Sequence, residues 1–240
     1  FRTEFLFLGR REELGEDEQF EVYREAVEGL EGRPLTIRSI DVGADKYDEK
    51  LGNLREPNPF MGERAIRASF RREDFFRTQL RASLRAAAHG SIRLMFPMIM
   101  DLGELRRAKA VLERACRELE ERGVPFEPDL PVGTMIELPS AALNTPRMVH
   151  EIDFFSIGTN DLTQYTLGVD RTNHRVADLY AAHHPAVLRL IKTVVRAARE
   201  RRRSVSVCGE IAGDPAFAPL LVGLGIRELS CAPMLIPDLK

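Results

Sequence analysis

The stretch from Phe154 to Arg171, FFSIGTNDLTQYTLGVDR, carries the side chains best suited to chemistry. Asp161 offers a carboxylate to a cation, and Asn160 offers an amide. Arg171 supplies a guanidinium whose fork fits a phosphate or a carboxylate. Together these groups suit a small, highly charged substrate that is held through a metal. The alternative is structural, in which Asn160 or Asp161 only caps a strand-to-helix turn.

A second carboxylate, Glu137, is the last polar residue of VGTMIEL, and its neighbours are apolar, so burial of its charge would be costly without a partner. Glu137 and Asp161 with substrate oxygens suit Mg²⁺, which prefers oxygen ligands and rarely takes a full protein cage. Zinc is a poorer candidate because the sequence places no histidine or cysteine beside either acid. The alternative is a salt bridge between one of the acids and Arg38 or Arg64.

Basic side chains and one thiol accompany these acids. Arg2 opens the first predicted strand, Arg38 lies in the second, and Lys46 and Arg64 flank a long polar loop. Such an excess of cations predicts an anionic ligand, most simply a phosphate with a carboxylate. Cys208 ends the strand-like run SVSVC, where a thiol can serve as an acid or a nucleophile, or be inert packing.

The elements that must position these residues form a regular series of strands and helices. Seven strands are predicted, at Arg2–Leu8, Leu35–Val42, Ile92–Met98, Val132–Leu138, Phe154–Ile157, Ser204–Val207 and Glu228–Ser230. This alternation is typical of a parallel α/β fold. Seven units favour a (β/α)8 TIM barrel that lacks its first β/α unit and the end of its last helix. A doubly wound sheet is the alternative, but the glycine fingerprint for a nucleotide is missing from the sequence.

Composition limits the partners and the compartment. The 240 residues are 44% hydrophobic and carry a net charge of -2, which predicts no nucleic-acid or membrane partner. No apolar run approaches the roughly 20 residues of a membrane span. Three cysteines, an odd number without metal-ligand spacing, predict a reducing, cytoplasmic location.

Ordered motifs along nearly the whole chain resemble one known family. These motifs are FRTEFLF, IRSIDVGADK, NPFMGERAIR, LMFPMI, GTMIELPSA, DFFSIGTNDLTQYTLGVDR and VCGEIAGD. They resemble the C-terminal, phosphoenolpyruvate-binding domain of Enzyme I of the bacterial phosphotransferase system, in the wider family of phosphoenolpyruvate-utilising enzymes. The resemblance implies a TIM-barrel domain over residues 1–240, bound Mg²⁺, and a homodimer formed through this domain. It also implies an N-terminal phosphohistidine domain outside this chain.

The resemblance assigns a role to each candidate residue. It implies that the substrate is bound by Arg2, Arg38, Lys46, Arg64, Asn160 and Arg171. It implies that Glu137 and Asp161 ligate Mg²⁺. Cys208 would be the acid that protonates the enolate at carbon three to give pyruvate, and Arg171 is counted with it among the catalytic groups.

The implied function is the first step of the sugar phosphotransferase system. Phosphoenolpyruvate would give its phosphoryl group to a histidine of the N-terminal domain, and through it to an HPr-type carrier protein. This piece alone would bind phosphoenolpyruvate without completing transfer to a protein. Two alternatives stay open. One is the C-terminal domain of pyruvate phosphate dikinase or phosphoenolpyruvate synthase. The other is a non-catalytic phosphoenolpyruvate sensor, which would keep the arginines but lose Cys208 or a metal carboxylate.

Overall fold

The computed structural model describes residues 1–7, 12–42 and 58–239. These residues form two compact units. The first contains residues 1–98 and 103–132, and the second contains residues 99–102 and 133–240. Lys46 lies outside the described residues, so its predicted place near a phosphate stays a prediction.

The first unit contains two strands, four helices and two short 3-10 turns in its described part. In chain order these are a 3-10 turn at Thr3–Leu6, α1 (Glu16–Glu28), β1 (Leu35–Arg38), a 3-10 turn at Pro59–Met61, α2 (Ile66–Arg71), α3 (Glu73–Ala87), β2 (Ile92–Phe96) and α4 (Leu102–Glu121), whose first residue belongs to the second unit. β1 and β2 run parallel, with Leu35 opposite Ile92. Arg72 separates α2 from α3.

The predicted strand at Arg2–Leu8 is wrong. Arg2 makes a single parallel bridge to Arg38, and the chain then turns into the 3-10 helix at Thr3–Leu6. The reason is a set of long-range contacts. The Thr3 hydroxyl donates to the carbonyl of Arg38 at 3.0 Å, and a Glu4 carboxylate oxygen accepts from the Arg38 guanidinium at 2.8 Å. Both side chains must turn towards Arg38, which an extended strand with alternating faces does not allow.

The core of the first unit lies where the strands meet α1 and α3. α1 packs against α3, and Tyr23 on α1 is fully buried. Phe76 of α3 meets Phe96 of β2 edge-on, with ring centroids 6.0 Å apart. Because aromatic side chains of this size dominate core energetics, this contact fixes α3 against the strand that precedes α4.

Glu16, the first residue of α1, is held by three arginines. Its carboxylate accepts hydrogen bonds from Arg81 at 2.6 Å, Arg85 at 2.7 Å and Arg122 at 2.8 Å. Burial by itself would raise the pKa of Glu16, but the hydrogen bonds from Arg122, Arg81 and Arg85 lower it to about 2. The folded state therefore favours the ionised carboxylate more than the unfolded chain does.

We expect Glu16→Gln to lower the free energy of unfolding at neutral pH and to have a smaller effect in acid. Because the folded pKa is depressed, the contribution of Glu16 is complete above its ordinary value of 4.5 and is lost as the pH falls towards about 2. At pH 7 the loss should be about 1 to 2 kcal/mol after allowance for solvent screening. Urea unfolding of both proteins from pH 7 to pH 2.5 measures it. The control is Glu21→Gln, which alters an exposed pair with Arg24 on the same helix. An equal difference between wild type and Glu16→Gln at every pH would contradict the assignment.

The second unit is the more regular of the two. Its elements are β3 (Val132–Ile136, from Gly133 onward), α5 (Pro139–Met148), β4 (Phe154–Gly158), α6 (Thr159–Leu167), a 3-10 turn at Ala177–Leu179, α7 (Pro185–Glu200), β5 (Ser204–Cys208), a 3-10 turn at Glu210–Gly213, α8 (Ala218–Leu224), β6 (Glu228–Leu229), a 3-10 turn at Pro233–Leu235 and α9 (Ile236–Leu239). α5 and α7 pack against each other, and Val187, Ile191 and Val194 of α7 are fully buried.

Strands β3 to β6 pair in parallel and in sequence order. Phe154 lies opposite Gly133 on one side and Ser204 on the other, and Gly158 lies opposite Cys208. The carboxyl ends of parallel strands share one edge of a sheet, and that edge is where α/β proteins place their sites. Parallel strands joined by helices confirm the predicted α/β class. Closure into an eight-stranded barrel stays a prediction.

Candidate functional site

A pair of buried carboxylates lies at the carboxyl edge of the second unit. Glu137 follows the last residue of β3, and Asp161 lies in the first turn of α6. Glu137 is 1% exposed and Asp161 is 7% exposed. A carboxylate oxygen of one lies within 4.8 Å of a carboxylate oxygen of the other. Two negative charges this close in a poorly solvated place repel each other, so a cation between them is favourable.

Gly158, the last residue of β4, makes room for this pair. A Cβ atom at position 158 would lie 2.7 Å from Cγ of Glu137 and 3.1 Å from Sδ of Met135. Glycine is therefore the residue that lets Glu137 lie over the end of the neighbouring strand. The donors are carboxylate oxygens, which are the ligands that Mg²⁺ prefers. The residues fit the predicted magnesium site.

Arg171 brings positive charge beside the acids. Its Nη2 lies 3.8 Å from Oδ1 of Asp161, and its side chain is 28% exposed. The backbone N–H of Arg171 donates to Oε1 of Gln164 at 3.1 Å, and Gln164 is itself buried on α6. Gln164 thus holds the loop after α6 in a position where the Arg171 guanidinium lies near Asp161, in the first turn of that helix. A guanidinium next to two carboxylates can bind an anion that a metal also binds.

Thr159 and Asn160 connect the start of α6 to the loop after β5. Thr159 Oγ1 donates to the carbonyl of Cys208 at 2.8 Å. The Asn160 amide oxygen accepts from the backbone N–H of Glu210 at 3.0 Å, and its nitrogen donates to Oε1 of Glu210 at 3.5 Å. Gly209 has a φ of 100°, and a Cβ there would lie 2.3 Å from Oγ1 of Thr159. Only glycine therefore allows this close approach.

The thiol of Cys208 is half-buried and hydrogen-bonded on both sides. Its sulfur accepts from the Ser156 hydroxyl at 3.7 Å, and its S–H donates to the carbonyl of Ile157 at 3.5 Å. Cys208 is a free thiol, as are Cys116 and Cys231. The structure thus brings four of the predicted residues, Glu137, Asn160, Asp161 and Cys208, to one edge of one unit, and Arg171 beside them.

The first unit carries a cluster of arginines and acids. Arg38 contacts Glu4 at 2.8 Å and Asp41 at 3.2 Å, and Arg64 contacts Asp41 at 2.9 Å. The Asp41 backbone N–H also donates to Glu4 at 2.9 Å. These arginines are therefore oriented by acids of their own unit. Arg2 is exposed and is held through its backbone bridge to Arg38.

Several residues of these clusters escape the sequence analysis. Ser156 and Thr159 lie inside the most informative stretch, yet only long-range hydrogen bonds show that they contact Cys208. Tyr180 donates its hydroxyl to the carbonyl of Asn160 at 3.2 Å, and burial raises its pKa. It lies in a loop where no periodic pattern points to it. The strand wrongly predicted at Arg2–Leu8 conceals the role of Glu4.

The family is decided by a comparison with known proteins. A family model described as PEP-utilising enzyme, PEP-binding domain, matches residues 1–240. The chain belongs to this family. This PEP-binding domain is 49% identical over 230 residues to a phosphoenolpyruvate-protein phosphotransferase of Latilactobacillus sakei. The alignment covers 96% of this chain and 40% of the relative. It is 50% identical over 236 residues to a protein of the same name from Cupriavidus necator, with 97% and 40% covered.

The PEP-binding domain spans about two fifths of the length of the curated relatives it matches. A solved structure is also similar, that of malate synthase from Haloferax volcanii in a magnesium and glyoxylate complex. It superimposes with a TM-score of 0.60 at 15% identity, over 93% of this chain and 59% of that one. This likeness concerns the fold. Among the helices described for the domain, none is long and apolar enough to cross a membrane.

Proposed function

We propose that this domain binds phosphoenolpyruvate together with Mg²⁺. In the full-length protein it supplies the phosphoryl group to a histidine of an N-terminal domain and releases pyruvate. The observation that carries the proposal is the buried pair Glu137 and Asp161 beside the Arg171 guanidinium, in a chain of a PEP-binding family. The names of the relatives at 49% and 50% identity favour a phosphotransferase over a dikinase or a synthase. The presence of Cys208 and of both carboxylates argues against a non-catalytic sensor.

Glu137 and Asp161 would hold the metal. When bound, Mg²⁺ supplies positive charge that neutralises phosphate oxygens and the developing charge on the transferred group. The side chains of the protein bind and orient the substrate. The Arg171 guanidinium lies 3.8 Å from Asp161, so an anion bound at the metal is within its reach, and its planar fork fits a phosphate or carboxylate oxygen. Asn160 binds the phosphate through its amide or its backbone N–H.

Arg2, Arg38 and Arg64 of the first unit contribute positive charge to phosphoryl binding, as does Lys46. The support is the family resemblance of their motifs and the fixed orientation of two of them. Arg64 donates to both oxygens of Asp41, at 2.9 and 3.0 Å, which holds its guanidinium plane in place. A guanidinium that is already ordered loses less entropy when it binds an anion.

Cys208 gives the proton that completes the product. When the phosphoryl group leaves the enol oxygen, the remaining enolate has excess electron density at carbon three. The S–H bond of Cys208 breaks, a C–H bond forms at that carbon, and the sulfur keeps the electron pair. The product is pyruvate, and a later proton from solvent restores the thiol. General acid catalysis of this kind typically contributes about 100- to 10,000-fold.

The wider assignments rest on the resemblance. The domain belongs to a (β/α)8 barrel, works as a homodimer in the cytoplasm, and passes phosphate through the N-terminal phosphohistidine domain to an HPr-type carrier. The three free thiols support a reducing compartment.

Calorimetry of the 240-residue chain tests the proposal, because the chain lacks the proposed acceptor domain and reports binding alone. Phosphoenolpyruvate should bind about tenfold more tightly or better with Mg²⁺ than with EDTA, a gain of at least about 1.4 kcal/mol. Asp161→Asn should abolish that gain, since it removes one of two charges that attract the metal.

The matched control is Asp153→Asn. Asp153 is a half-exposed acid of the same unit that pairs with Arg203 at the protein surface. This variant should keep the full effect of Mg²⁺. Equal affinity for phosphoenolpyruvate with Mg²⁺ and with EDTA in the wild-type chain would overturn the metal-dependent function.

A further inference from the structure

Ser156 is a buried polar side chain that the function proposed above does not use. It lies in the middle of β4, is 5% exposed, and its hydroxyl donates to the sulfur of Cys208 at 3.7 Å. We infer that Ser156 is a positioning residue for proton transfer, which aims the Cys208 thiol and stabilises the sulfur anion left when the proton has gone. This inference rests on the proposed role of Cys208 as the acid.

The strand register explains the contact. Ser156 lies opposite Ser206, and Gly158 lies opposite Cys208 on the parallel neighbour. Residues two apart on a strand face the same side of the sheet, so Ser156 and Cys208 share a face. Gly158, the residue directly beside Cys208 on β4, has no side chain. The Ser156 hydroxyl can therefore reach the sulfur diagonally across the space above Gly158.

The sulfur has one contact suited to each of its protonation states. As a thiol, Cys208 donates its S–H to the carbonyl of Ile157 at 3.5 Å, a contact that only the protonated sulfur can make. After proton transfer the sulfur is an anion and can only accept. The hydroxyl of Ser156 then becomes a charge-assisted donor, which is a stronger hydrogen bond than the one it makes to a neutral thiol.

A comparison with Ser206 argues against a purely structural role. Ser206 is the partner of Ser156 on β5, and its hydroxyl donates to the backbone carbonyl of Phe155 at 3.5 Å. A backbone carbonyl is the ordinary acceptor for a serine in a sheet. Ser156 donates to a thiol sulfur instead, which is a weak acceptor while it is neutral and a strong one once it is charged. The backbone of Cys208 is held separately, by Thr159.

The test is steady-state pyruvate formation by the full-length protein. Ser156→Ala should lower kcat about tenfold, as expected for one hydrogen bond to a charged group, and leave KM for phosphoenolpyruvate within about twofold. Ser156→Thr keeps the hydroxyl and should recover kcat to within about twofold of wild type. Ser206→Ala is the matched control and should keep the wild-type kcat. Melting temperatures of all variants show whether the fold is retained.

The outcomes separate this inference from the proposed function. If Cys208→Ala abolishes turnover while Ser156→Ala keeps the wild-type kcat, the role of Ser156 is overturned and the function stands. A loss in Ser156→Ala that Ser156→Thr does not restore overturns it too, because the hydroxyl would not be the reason. If Cys208→Ala itself makes pyruvate at the normal rate, the acid role fails, and the role of Ser156 fails with it.

Discussion

Cys208→Ala should lower pyruvate formation by the full-length protein about 100- to 10,000-fold, the usual contribution of a general acid. The Kd for phosphoenolpyruvate should stay within about twofold of wild type. The reason is the order of events, since a proton donor acts after the substrate is bound and makes its contribution in the transition state. A steady-state assay measures the rate of pyruvate formation, and calorimetry measures the Kd for phosphoenolpyruvate.

Cys116→Ala is the matched control. Cys116 is a free thiol on helix α4, and burial raises its pKa, as expected for a thiol that only packs. Its replacement should affect the melting temperature more than the turnover. If Cys208→Ala melted normally and still made pyruvate at the wild-type rate, Cys208 would be a packing residue and the proposed mechanism would need another acid.

The sequence predicts most of the fold because its elements have strong local signals. α7 has a proline in its first turn and a regular apolar face, and the structure places it at Pro185–Glu200. The strand at Phe154–Gly158 is a run of buried aromatic and β-branched residues, and the predicted strand differs from it by one residue. Because a parallel sheet puts the ends of such strands at one edge, the sequence alone is enough to group Glu137, Asp161 and Cys208.

The features that escape prediction depend on contacts far apart in the sequence. RTEFLFL reads as a strand with charge at its start, yet Thr3–Leu6 form a 3-10 helix because Thr3 and Glu4 bind Arg38. The pairing of Ser156 with Cys208 depends on a register that no local pattern encodes. The sequence predicts Arg38 as part of an excess of positive charge, whereas the structure shows it bound to Glu4 and Asp41.

Because Arg38 pairs with Glu4 and Asp41, we expect Arg38→Ala to affect both substrate affinity and stability. The Kd for phosphoenolpyruvate should rise about 10- to 100-fold, as expected for the loss of a hydrogen bond between charged groups. The variant should also be less stable by about 3 kcal/mol, since the largely buried acids Glu4 and Asp41 lose a partner. Calorimetry and urea unfolding measure the two losses. Arg24→Ala, on the exposed face of α1, is the control and should change neither.

A double variant separates the structural pairing from ligand binding. Glu4→Gln in the Arg38→Ala background removes the unpaired carboxylate, so it should recover a large part of the lost stability. It should leave the affinity for phosphoenolpyruvate low, because the guanidinium that binds the phosphoryl group is still missing. If Arg38 only held Glu4 and Asp41 in place, the double variant would regain affinity in step with stability. A Kd that returned to the wild-type value in the double variant would therefore remove Arg38 from the substrate-binding residues and leave it a structural ion pair.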